Sequence, residues 1–102
     1  MVKFPVHVTR DGYRGANQSR RAKAQSHNET AAALEAHINR QLESQTEPIK
    51  SYSYSILAHE TRIPREVVAR MCFSIDCGHN GFTVIRKDLT YEQALKEIEV
   101  GR

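Results

Sequence analysis

The chain has 102 residues, of which 39% are apolar and 26% charged, and it carries a formal net charge of +3. That length fits one domain with a small core, and no apolar run reaches the roughly 18 residues of a membrane-spanning helix. The first residues, MVKFPVHVTRDG, lack a signal-peptide core, so a cytoplasmic protein is expected, and the mild positive balance points weakly toward a polyanion partner.

The distribution of charge says more than the total. Arg10, Arg14, Arg20, Arg21 and Lys23 face only Asp11 in residues 10–23. Arg62, Arg65, Arg70, Arg86 and Lys87 stand against Glu66 and Asp76 in residues 62–87, whereas residues 88–99 are acidic on balance. This segregation is the footprint sought in a nucleic-acid-binding protein.

In residues 2–8, VKFPVHV, the apolar positions Val2, Phe4, Val6 and Val8 alternate. Pro5 restricts a strand here to a sheet edge or a partner chain, and an ordered arm on the surface is the alternative. Residues 10–27 hold two glycines and, Tyr13 aside, almost no large apolar residue. They read as a loop or disordered basic arm, unable to bury enough to offset ordering entropy, which either neutralises phosphates or is a solvated linker. Residues 28–44 predict a helix capped by Asn28, with Glu29 in its first turn and Ala31, Leu34, Ile38 and Leu42 as one apolar stripe. Glu35, Arg40 and Glu43 take the other side, and His37 borders the stripe as a rim residue.

Pro48 breaks that helix, and Ile49 to Tyr52 suit a short strand. Ser53 or Ser51 caps a short helix over residues 54–60 that presents Ile56, Leu57 and Ala58 inward. A second helix over residues 64–75 opens on Pro64, where a missing N–H costs nothing, and buries Val67, Val68, Met71, Cys72 and Ile75. The stretch SILAHETRIPREVVARMCFS thus reads helix, turn, helix, with a small residue at Ala58 and apolar plugs at Ile63, Val68 and Met71. It resembles the helix-turn-helix DNA-binding motif over about a fifth of the chain, with one departure. Arg62 stands at the turn position usually held by glycine, where a left-handed backbone costs roughly 1 kcal/mol.

Asn80-Gly81 is a signal for a two-residue hairpin, followed by the strand residues Phe82, Val84 and Ile85. A hairpin there matches the wing of winged-helix domains, with its returning strand beside Ile49 to Tyr52. Thr90 to Gln93 form a capping box opening a last helix, with Tyr91, Ala94, Leu95 and Ile98 on one side. That helix serves either as a dimer contact or as packing within the chain. The expected fold is mainly α with a small β-hairpin, a winged helix-turn-helix domain with a flexible basic N-terminal arm. The strand and arm occupy residues 1–27, and the winged domain with its last helix occupies residues 28–102.

No glycine-rich phosphate loop, G-x-S-x-G or H-E-x-x-H is present, so neither an enzyme nor a cofactor is expected. Cys72, Cys77 and His79 form C-x4-C-x-H, which matches no standard zinc spacing; no metal is expected, and Cys72 faces the core. The resemblance implies a sequence-specific regulator of bacterial or phage type that binds double-stranded DNA as a homodimer. Arg65, Glu66, Ala69 and Arg70 then lie nearest base edges, where arginine suits guanine and glutamate accepts from cytosine. Ser53, Tyr54 and Arg62 hold the backbone, and His79, Arg86 and Lys87 of the wing add phosphate contacts, as do Arg20, Arg21 and Lys23 of the arm. A protein-interaction module on the same scaffold, an inhibitor or adaptor, is the alternative.

Overall fold

The computed structural model describes residues 1–100; Gly101 and Arg102, the end of the expected second unit, lie outside them. The stripe Ala31, Leu34, Ile38 and Leu42 is buried to within 1% on a helix, α1, that runs Gln18–Glu43. Asn17, not Asn28, caps it, its side chain accepting from the Arg20 N–H at 2.9 Å. The expectation of a flexible arm over residues 10–27 is therefore corrected over its second half. Arginine, lysine, alanine and glutamine dominate QSRRAKAQ, and these are strong helix formers even without an apolar stripe.

Residues 4–11 return along α1 in the opposite direction and are bound to it through their own backbone. The Asn39 side chain accepts from the Val6 N–H at 2.8 Å and donates to the Val6 carbonyl at 2.9 Å. One turn earlier, the Glu35 carboxylate accepts from the Val8 N–H at 2.9 Å. Two turns further back, Asn28 accepts from the Asp11 N–H at 2.7 Å and donates to the Asp11 carbonyl at 2.9 Å. The spacings match: two extended residues advance about 6.6 Å and four helical ones about 6 Å. Val6 and Val8 are buried in the core as a result.

β2 (Ile49–Ser53) leads directly into α2 (Tyr54–Thr61), which Ser53 caps by accepting from the Ser55 N–H at 3.2 Å. Arg62 closes α2 in the left-handed region at φ 62°, ψ 22°. Pro64 is extended and sits just before α3 (Arg65–Asp76), one residue outside the helix it was expected to open. Val68, Met71 and Cys72 are buried, and Ala58, Ile63, Val67 and Ile75 pack on the same cluster. Ile56 is a correction, 61% exposed. The inner face of α2 is Tyr54, Leu57, Ala58 and Thr61, at helical spacing, which turns position 56 outward.

The sheet order is β1-β3-β2, with β1 spanning Val2–Lys3 and β3 spanning Gly81–Ile85. β2 pairs antiparallel with β3, Tyr52 opposite Phe82, as expected for a returning strand beside Ile49 to Tyr52. The hairpin itself is a correction: β3 is not half of a hairpin, and its other neighbour is β1, parallel, with Val2 opposite Val84. β1 flanks β3 on the side away from β2, and the chain beyond Ile85 turns through Arg86, whose carbonyl accepts from the Leu89 N–H at 3.0 Å. Gly81 is required for a different reason than a hairpin turn. A Cβ there would run into the Tyr52 carbonyl oxygen of β2.

α4 (Tyr91–Val100) begins with the expected capping box. The Thr90 hydroxyl accepts from the Gln93 N–H at 3.2 Å, and the Gln93 side chain accepts from the Thr90 N–H at 2.9 Å. Its Ala94 packs with Ile85, Leu89 and Ile49 on a second, smaller cluster. Tyr91 and Leu95 stay 49% and 39% exposed, so the expected apolar stripe is only partly covered. Among the described residues, no helix is long and apolar enough to cross a membrane.

Candidate nucleic-acid interface

α3 presents its outward face to solvent with Arg65, Glu66, Arg70 and Phe73 exposed. Arg65, the first helical residue, is the most defined of them. Its Nε donates to the Ser55 hydroxyl at 2.9 Å and its Nη2 to the Asn80 side-chain oxygen at 3.2 Å. Both acceptors are neutral. Among the described residues, no carboxylate lies within ion-pair distance of Arg62, Arg65 or Arg70. Three uncompensated guanidinium groups therefore belong to the α2–turn–α3 unit.

Asn80 is itself fixed, since its carbonyl accepts from the Tyr54 N–H at 2.9 Å. The loop between α3 and β3 is held again by the Tyr54 hydroxyl, which donates to the Gly78 carbonyl at 2.8 Å. Tyr54 is fully buried, and burial pushes its phenol pKa above the usual tyrosine value. A phosphate contact from Tyr54 is thus corrected: its hydroxyl is committed inside the protein. Sequence patterning missed Asn80 and Ser55 as holders of Arg65. Asn80 read as a turn residue, and Ser55 carried no signal at all.

The remaining expected contacts divide. Arg62 and Glu66 are exposed, and Glu66, Arg70, Phe73 and Cys77 follow one another along one helical stripe. Phe73 is 46% exposed, with the His79 ring 6.2 Å away. Ala69 is a correction, packed partly against the core rather than toward a groove. Ser53 is half-buried and occupied as the α2 cap.

Arg86 is corrected most clearly. Its guanidinium binds Asp88 at 2.7 Å, Glu97 at 3.2 Å and the Thr46 carbonyl at 2.8 Å, joining β3, α4 and the turn before β2. Those partners hold its charge locally, and the side chain of Asp88 is kept below the usual carboxylate range chiefly by the Arg86 bond. Lys87 is exposed, its ammonium 5.7 Å from the Phe4 ring centre. From Asn80 to Arg86 the strand runs roughly 20 Å, so Arg65 and Arg86 mark opposite ends of the sheet.

Arg20 is also engaged, paired with Asp11 at 2.7 Å and stacked 4.8 Å from the Tyr13 ring centre. Arg21 and Lys23 are exposed on the first turns of α1. Cys72 is buried, and burial pushes its thiol up to about 12, whereas Cys77 is exposed at the left-handed end of α3. No family model, curated protein or solved structure matches the chain.

Proposed function

We propose that the chain is a sequence-specific binder of double-stranded DNA, a small regulator of bacterial or phage type, which inserts the start of α3 into the major groove. The observation that carries this reading is the trio Arg62, Arg65 and Arg70. All three are exposed on a helix-turn-helix unit and lack a carboxylate partner among the described residues. Cations left without partners suit an external polyanion, since exposed arginines beside acids are otherwise easily paired. Exposed Tyr91 and Leu95 on α4 support a homodimer, which would double the half-site.

The test is a titration of the protein with labelled duplex from its own upstream region and with a scrambled duplex, at two salt concentrations. Preferential binding to the native duplex is expected, with log affinity falling by about 0.9 per phosphate contact for each unit of log salt. Absence of binding to either duplex at low salt sinks the reading.

A protein-interaction module is the second reading, and two observations favour it. The charge is divided, with Arg86 and Arg20 bound to acids away from α3. Phe73 and Ile56 expose large apolar surface on the same two helices. Exposed aromatic groups among charges are frequent anchors for protein partners.

A further inference from the structure

We infer that Arg65 is a preset guanine reader and that Ser55 and Asn80 are the positioning residues that aim it. This rests on the DNA-binding reading above. A guanidinium has five N–H donors in a fixed plane. One edge of that plane, Nε together with Nη2, is taken up by Ser55 and Asn80 at 2.9 and 3.2 Å. Three donors remain at the Nη1–Nη2 end, two of them parallel. That end matches two acceptors side by side, as guanine offers with O6 and N7 in the major groove.

The holders come from different elements. Ser55 lies in the first turn of α2 and Asn80 in the loop before β3, so the arginine is braced across the motif. Neither removes the positive charge, as a carboxylate would. Asn80 does not depend on Arg65 for its own place, because its backbone carbonyl is bonded to the Tyr54 N–H and Tyr54 is wholly buried. The arginine therefore waits in a defined orientation, and less rotamer freedom is lost when it binds.

The neighbouring residue argues for a base edge over a phosphate. Glu66, exposed and next along α3, presents a carboxylate on the same first turn. A carboxylate repels phosphate, yet it accepts from the cytosine N4 donor that any guanine's partner presents.

The experiment begins with selection from a randomised duplex pool by the full-length protein. A fixed guanine is expected, and replacing it with 7-deazaguanine, which lacks the N7 acceptor, should weaken binding by about tenfold. Arg65→Met keeps the stem but no donor and should become insensitive to that replacement. Asn80→Ala and Ser55→Ala should each lose much of the 7-deazaguanine effect while keeping the wild-type salt dependence, with thermal melts confirming that both fold.

Three results overturn the inference. Full discrimination in both alanine variants removes the positioning role. An Arg65→Met protein weaker on every duplex alike, with its 7-deazaguanine sensitivity intact, makes Arg65 a phosphate contact. Wild-type protein that binds no duplex removes the DNA reading itself, and that outcome is distinct from the other two.

Discussion

Arg62 shows how one residue can be retained against its backbone preference. Its φ of 62° places it where side chains other than glycine are disfavoured by roughly 1 kcal/mol or more. The turn between α2 and α3 nevertheless forms, because Ile63, Val68 and Ala58 packed behind it outweigh that local cost. Arg62→Gly should therefore raise stability by roughly 0.5 kcal/mol, the relief of strain being partly offset by glycine's freedom in the unfolded chain. Urea unfolding checks this, and a lower midpoint for the glycine variant would show that the arginine side chain contributes contacts of its own. If α3 binds DNA, the same variant binds more weakly, since a cation has gone.

At the level of elements, the strap over residues 4–11 and the face of α1 beneath it depend on each other. Asn39 serves both backbone groups of Val6, so Asn39→Ala leaves a part-buried donor and acceptor without partners. That loss is worth about 1–3 kcal/mol, against at most about 0.7 kcal/mol gained from alanine's better helix propensity. Net destabilisation is expected, with faster hydrogen exchange at Val6. Glu35 adds a dependence on acidity. Its pKa is lowered first by the bond from the Val8 N–H and then by Arg10. The unfolded chain consequently binds the proton more readily, and the Glu35 contribution is complete above its unfolded pKa. It is lost as pH falls through the lower folded value. Stability measured from pH 6 to pH 2 should drop across that acid range, and Glu35→Gln, which keeps an acceptor for Val8, should flatten the drop.

Much of this element level was legible in the sequence. The stripe of α1, the capping box of Thr90 and the strand at Ile49 follow from period and cap chemistry alone. The first ten residues of α1 were hidden because a helix without an apolar stripe resembles a linker when only burial is weighed. The strap was hidden for another reason. Asn28 and Asn39 act on backbone groups of residues 17 and 33 positions away, and nothing local marks an asparagine as a receptor for a distant chain. The same holds for Asn80 and Arg65 at the candidate site.

Over the whole molecule, charge is divided among three places. The α2–α3 unit carries Arg62, Arg65 and Arg70. The start of α1 carries Arg20, Arg21 and Lys23, and Arg86 fastens α4 to the sheet and the turn before β2. Arg86→Gln should accordingly speed hydrogen exchange in α4 and, if the proposed DNA binding holds, leave its salt dependence as it is in the wild-type protein. A shallower salt slope in that variant would return Arg86 to the interface. The shape agrees with this division, since the molecule extends 57 Å along its longest axis and only 24 Å across.

The strap also sets an order of events during synthesis. Val6 and Val8 leave the ribosome well before Asn39 and Glu35, and Val2 precedes its sheet partner Val84 by about eighty residues. At roughly 5–20 residues per second, Val2 and Lys3 wait several seconds for the strand they join. Until α1 is made Val6 and Val8 have nothing to cover them, and Val2 waits longer for β3, so a chaperone that holds extended apolar segments would find its target in residues 2–8.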